Sequence, residues 1–263
     1  MPMPPSRRRS WSHTWAGAWA HLRNIAGPER TPENNRDLAV GLAFTAGILN
    51  SVGFLAVAMY SSHMTGLTAT LADQLVLGNF RIALLAAMGI ASFMIGAAMC
   101  AIIFNWGRRR DLPSRFAIIL VIEALAMLLV GLMAQKITDW GLGWSVLAVL
   151  CWTMGLQNAV ITKITGSQIR TTHVTGMVTD LGIEMGKWLY RNKPGDADPV
   201  LPDKPQMRLH SVIVLGFFLG GVCGMATALV IGYYTVIPAA AILLVLASFP
   251  IIEDVREHLH RKR

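Results

Sequence analysis

The chain has 263 residues, 54% of them hydrophobic and only 14% charged, with a mean hydropathy of +0.49. A water-facing surface of this size needs more charge, so the composition excludes an ordinary soluble domain and makes the bilayer the expected solvent. The formal net charge is +8, but Lys and Arg gather in a tail and a few loops, the distribution of cytoplasmic loops and not of a nucleic-acid surface.

Residues Met1 to Asp37 form a basic tail with Arg7, Arg8, Arg9, Arg23, Arg30 and Arg36, in which Trp11, Trp15 and Trp19 recur at every fourth position and Leu22 continues the face. That spacing fits a short interfacial helix on the inner leaflet, and a disordered basic tail is the alternative. Ser6 to Arg9 resembles the start of a twin-arginine export signal, but no uninterrupted apolar core follows before Arg23.

The fold class this predicts is all-α, a polytopic helical bundle. Apolar spans are expected at Ala39 to Tyr60, Ile82 to Trp106, Phe116 to Ala134, Trp144 to Lys163, His210 to Tyr234 and Val236 to Ile252, each near the roughly 20 residues needed to cross. Two further segments, Thr65 to Leu77 and Thr175 to Trp188, are shorter and hold Asp73, Gln74, Asp180 and Glu184. A carboxylate costs roughly 2.5 to 3.5 kcal/mol at a bilayer centre, so these are poor lipid-facing spans. If both dip in and return, six crossings put the tail, the Arg108 to Arg115 loop, the Lys187 to Arg208 loop and the Arg261 to Arg263 end on the cytoplasmic side. The nearly neutral Gln135 to Gly143 loop is then outside. An eight-crossing bundle with parallel repeats is the alternative, because short polar helices also cross when packed inside protein. The connector Asn192 to Pro205, with Pro194, Pro199 and Pro202, reads as a surface loop.

One pattern occurs twice. Gly47-Ile-Leu-Asn50 is followed by Ser61-Ser-His-Met-Thr-Gly66, and Gly155-Leu-Gln-Asn158 by Thr171-Thr-His-Val-Thr-Gly176, about 110 residues later. A period this long fits the internal duplication of transport proteins, with halves at 39–134 and 144–252 flanked by the tail 1–38 and the basic C-terminus 253–263. Under six crossings the halves are inverted. Asn50 and Asn158, near the middle of apolar spans, must face the protein interior, as interhelical glue or as the lining of a polar path, and Gln157 adds a second amide. Thr65 and Thr175 are suited to cap the short helices, while Gly66 and Gly176 allow close approach of a helix or a solute. A free helix N-terminus attracts an anion, a carboxylate or a carbonyl oxygen, which favours an anionic or zwitterionic solute. The alternative is that Asn50, Asn158, His63 and His173 satisfy those ends and hold a kink.

His63 and His173 have the chemistry of proton relays, although surface hydrogen bonding is the plainer role. Asp73, Asp180, Glu184 and Glu123 are the candidates for proton or cation coupling, with Lys163 and Arg170 as partners for nearby acids. Gly216, Gly220, Gly221 and Gly224 form a small face, matched more loosely by Gly89, Gly96 and Ala97, which predicts that the third span of each half lies at a central interface. Cys100, Cys151 and Cys223 lie in apolar runs and read as packing residues. No catalytic motif, metal site or cofactor-binding loop is present, which disfavours an intramembrane enzyme.

At these motifs the sequence resembles the YoaK-like family of bacterial membrane proteins, domain of unknown function 1275. The resemblance covers about Ala39 to Ile252 and is most specific at Gly155 to Val160 and Thr171 to Gly176. In the first half the family often has Asp where this chain has Asn50, and Asn where it has Leu67. The resemblance implies a bacterial inner-membrane location and no established substrate or catalytic residue. The expected partners are the bilayer, a small polar solute and, as an open alternative, further copies of the chain. Transport is the leading expectation; the alternatives are an accessory or sensor protein with structural motifs and, last, an intramembrane enzyme.

Overall fold

A computed structural model describes residues 32–165, 171–195 and 197–261. The expected tail helix with Trp11, Trp15 and Trp19, Arg170, and the side chains of the basic C-terminus lie outside the described residues. Among the described residues there are eight α-helices, one 3-10 turn and no strand. They are α1 (Pro32–Val57), α2 (Met64–Val76), α3 (Phe80–Arg109), α4 (Arg115–Asp139), α5 (Gly143–Ile164), α6 (Val174–Leu189), α7 (Lys204–Ile231), the 3-10 turn (Gly232–Val236) and α8 (Ile237–Arg261).

Five stretches are long and apolar enough to cross a membrane: Glu33–Val57, Phe80–Arg109, Arg115–Asp139, Gly143–Ile164 and Lys204–Ile252. With Leu84, Ile95, Ile102, Phe218, Leu229 and Val230 exposed on α3 and α7, they mark a membrane protein, since such side chains are at home against acyl chains and costly in water. α3, α4 and α5 overrun the expected spans at both ends, whereas α1 and α7 start early, at Pro32 and Lys204, and stop short, at Val57 and Ile231. Hydropathy marks only the hydrocarbon slab, whereas backbone hydrogen bonding continues into the headgroups.

Two helix pairs are built alike. In the first, α1 lies on α7 with backbones in contact. A Cβ added at Gly220 would meet the Phe44 carbonyl carbon at 2.8 Å, one at Gly224 the Ile48 Cα at 2.8 Å, and one at Gly47 the Gly220 carbonyl carbon at 2.9 Å. In the second, α5 lies on α3: a Cβ at Gly155 would meet the Phe93 carbonyl carbon at 2.8 Å, and one at Gly96 the Trp152 carbonyl carbon at 2.9 Å. Small residues permit this approach where apolar lipid supplies no hydrophobic drive and dispersion must hold the helices. The contacts advance in the same direction along both helices, from Phe44–Gly220 to Ile48–Gly224 in the first pair and from Gly89–Cys151 through Phe93–Gly155 to Gly96–Leu156 in the second, so each pair is parallel. Ser51 Oγ adds a bond of 2.9 Å to the Gly221 carbonyl across the first pair, although a Cβ at Gly221 itself would meet nothing within 4 Å.

The pairs are joined through α1 and α5, which run antiparallel. Gln157 Nε2 donates to the Leu42 carbonyl at 2.5 Å, a Cβ at Gly53 would meet Leu150, and one at Gly143 would face the Ala56 carbonyl. In the apolar window of α5, 67% of residues are buried, and in that of α1, 61%, against 17% in α3. The centre is therefore the first helix of each expected half, and the expectation that the third spans are central is corrected. Their glycines serve the contact with α1 and α5, and their other faces are exposed.

The stretch Lys204–Ile252 bends back on itself. Gly232 takes φ +61°, a left-handed conformation that favours glycine, and Thr227 and Thr235 hydrogen-bond across the turn. Thr138 Oγ1 bonds Tyr233 Oη at 3.2 Å, and Gly131 abuts Val236 and Ile237, so α8 returns along α4. Directions thus alternate through α1, α3, α4, α5, α7 and α8. The short helices α2 and α6 lie at the reversals, α2 packed on α3 and α6 on α7.

Candidate functional site

Each repeated motif folds into a joint between the C-terminal part of a long helix and the loop before a short one. In the first, Asn50 Nδ2 donates to Ser62 Oγ at 2.7 Å, and Asn50 Oδ1 accepts from the Ser62 backbone N–H at 2.9 Å and from Ser61 Oγ at 3.1 Å. In the second, Thr172 Oγ1 donates to Asn158 Oδ1 at 2.6 Å, and Asn158 Nδ2 turns back to the Met154 carbonyl at 2.9 Å. An amide inside an apolar helix needs such partners, and the chain supplies them from the hydroxyl residues just before each histidine, Ser61 and Ser62 in the first joint and Thr172 in the second. These hydroxyls were quoted in the sequence motif without a role; their recurrence at the same place in both copies was the available signal. Because α1 and α5 are antiparallel, the joints sit at opposite ends of the bundle.

The two joints differ in what is left over. The Asn50 amide oxygen accepts twice and its nitrogen donates once, so both ends of the amide are engaged in the loop. At the second joint Thr171 is fully buried and its Oγ1 has no hydrogen-bond partner, and Gln157, also fully buried, leaves Oε1 without one. In the chain Thr171 precedes Thr172 and Gln157 precedes Asn158, with the Gln157 side chain turned to α1 through its bond to Leu42. A buried hydroxyl able to donate and a buried amide oxygen able to accept therefore remain unpaired.

Several expectations need correction. Thr65 and Thr175 do not cap the short helices, because α2 and α6 begin one residue earlier and place His63 and His173 at the N-cap, without a side-chain capping bond from either. The void left by Gly66 is filled by the His63 ring, whereas a Cβ at Gly176 would meet nothing within 4 Å, so close helix approach is not what Gly176 serves. His63, Thr65, His173, Thr175 and Gly176 are exposed. The alternative in which Asn50 and Asn158 satisfy the helix ends is also incorrect, since they bind the loop hydroxyls. Lys163 sits over the Phe104 ring, 5.6 Å from its centroid, and makes no ion pair among the described residues. Cys223 is exposed, while Cys100 and Cys151 are buried.

The coupling candidates separate as well. Asp73 is exposed on α2. Glu123 is fully buried within α4 with neither carboxyl oxygen hydrogen-bonded. Asp180 and Glu184 fix α6 to the start of α7: Asp180 lies 3.7 Å from His210 Nδ1, and Glu184 accepts from Lys187 Nζ and from the Asp203 backbone N–H, both at 2.6 Å. The Lys187 hydrogen bond and the Asp203 N–H hold the Glu184 carboxyl below the usual carboxylate range. Asp203 in turn caps α7 by accepting from the Gln206 N–H at 3.0 Å. The connector is closed by Asn192, which pairs with both backbone groups of Val200.

Residues 38–249, which hold both joints and reach into every long helix, match the model of a family described as protein of unknown function, DUF1275. The chain belongs to the DUF1275 family. Neither a curated protein nor a solved structure matches it. For this DUF1275 protein the site therefore rests on its own geometry: two amide–hydroxyl joints, one with three bonds to its loop and one with an unpaired buried hydroxyl in its loop, and a buried carboxyl on α4.

Proposed function

We propose that this DUF1275 protein is an inner-membrane transporter or channel, not an enzyme, that passes a small polar solute through a path between two inverted three-span halves. Its chain ends would lie in the cytoplasm. The alternating helix directions support six crossings with α2 and α6 re-entrant from opposite faces, since a full crossing by α2 would make α1 and α3 parallel. The matched contacts of α1 with α7 and α5 with α3 support descent from a duplicated unit.

The observation that carries the reading is the spare hydrogen-bonding capacity of Thr171 and Gln157, each buried and each next in sequence to a member of the Asn158–Thr172 bond. Leaving a buried polar group unpaired costs about 1 to 3 kcal/mol, and a passing solute recovers it. The groups are uncharged, which favours a neutral or zwitterionic solute there, and Glu123 is the candidate for coupling to protons. The three bonds that tie Asn50 to its loop favour a second reading, an accessory or sensor protein whose motifs hold loops in place.

Stopped-flow light scattering on proteoliposomes, challenged with neutral, zwitterionic, anionic and cationic solutes, tests the proposal. Thr171→Val removes a hydroxyl that makes no bond, so the fold should survive while flux changes. Wild-type vesicles no more permeable than empty ones to any solute class would favour the second reading.

A further inference from the structure

We infer that the turn between α3 and α4 binds the phosphate of an anionic phospholipid headgroup. Arg115 is the first residue of α4, whose first turn contains no acidic residue. A cation there faces the positive end of the helix dipole, an arrangement that an anion would relieve. The Arg115 Nε is buried with no hydrogen-bond partner, and Nη1 reaches only the Leu112 carbonyl at 3.5 Å. The guanidinium lies over Phe104 and Phe116, at 5.4 and 5.3 Å from the ring centroids, so its position is fixed while its charge stays unneutralised.

Arg115 and Phe116, with Pro113 and Asp111, line a depression of about 270 Å³, ample for a phosphate group. Arg108, Arg109 and Arg110 are exposed at the end of α3, and Lys163 Nζ lies 5.6 Å from the centroid of the same Phe104 ring. Among the described residues no carboxylate pairs with any of these cations; Asp111 is the one acid in the turn, held at φ +51°. Arg110 lies over Trp106, 4.8 Å from its centroid, and a half-exposed tryptophan under an arginine is a headgroup-depth anchor. Unpaired cations between helix ends at that depth suit the phosphodiester of an acidic lipid better than a free ion, because the acyl chains hold the lipid in place.

The inference rests on reading α3 and α4 as crossings, but binding measured in detergent does not depend on which face the turn occupies. Failure of the topology and failure of this site are therefore separable. The test is native mass spectrometry of the purified full-length protein titrated with phosphatidylglycerol, with phosphatidylcholine as the zwitterionic control. Phosphatidylglycerol should bind about ten-fold or more tightly than phosphatidylcholine, and Arg115→Gln should abolish that preference. Asp111→Asn keeps a residue that tolerates the left-handed backbone and removes the repelling charge, so it should tighten binding about three-fold. This variant decides the matter if Arg115→Gln does not fold. Equal binding of the two lipids, or a preference that Asp111→Asn leaves unchanged, overturns the inference. Inorganic phosphate alone should give no thermal shift; a shift lost in Arg115→Gln without any lipid preference would overturn the lipid source in favour of a free anion.

Discussion

Replacing Gly155 by Ala tests the packing on which the whole arrangement depends. The new Cβ would stand 2.8 Å from the Phe93 carbonyl carbon and 3.0 Å from its Cα, where ordinary contact begins at 3.4 Å. The nearest obstacle is the Phe93 carbonyl oxygen, backbone on a helix that cannot rotate aside as a side chain can, so α5 and α3 must separate by about an ångström or more at their closest point. Overpacking costs about 1 to 3 kcal/mol, and a backbone obstacle puts this case near the top of that range. At about 2 to 4 °C per kcal/mol, the thermal midpoint should fall by roughly 6 to 12 °C. A thiol-reactive dye in detergent is the assay, because buried Cys100 and Cys151 report unfolding while Cys223, already exposed, sets the baseline. Gly220→Ala should behave alike at Phe44. Gly182→Ala on α6 is the control: a Cβ there meets nothing within 4 Å, and Ala in place of a helical Gly adds about 0.5 to 1 kcal/mol. A Gly155→Ala midpoint equal to wild type would refute the close approach and the parallel α3–α5 pair with it.

Reporter fusions after Arg110 and after Pro199 should read cytoplasm, and a fusion near Asp139 should read exterior; an exterior signal at Arg110 would sink the six-crossing reading. Asn50→Ala loses three bonds to the Ser61–Ser62 loop and should cost more thermal stability than Asn158→Ala, which loses the Thr172 bond and a local one; the reverse order would show that the first joint is not a structural anchor. The depressed Glu184 carboxyl adds stability that is fully present above its unfolded value near 4.5 and lost as pH falls through its lower folded value. Between pH 7 and about pH 3.5 the wild-type midpoint should therefore fall more than that of Glu184→Gln, and parallel curves would remove Glu184 as the acid-sensitive tie.

The sequence by itself determined the helices. Apolar runs near the length of a bilayer, broken by basic or Pro-rich loops, leave the backbone no other way to satisfy its hydrogen bonds in lipid, and all six expected spans and both short segments are helical. It also marked Asn50 and Asn158, because an amide in an apolar run must find partners. What it could not decide was which partners. Composition and spacing do not encode that Asn50 spends its amide on Ser61 and Ser62, that Glu184 turns to Asp203, or that Lys163 settles over Phe104. Nor do they say which helices are central. Lipid is as apolar as the core, so hydrophobicity does not distinguish a lipid-facing helix from a buried one, and only the fit of Gly47, Gly96, Gly155 and Gly220 against opposing backbones sets α1 and α5 in the middle and leaves most of α3 exposed.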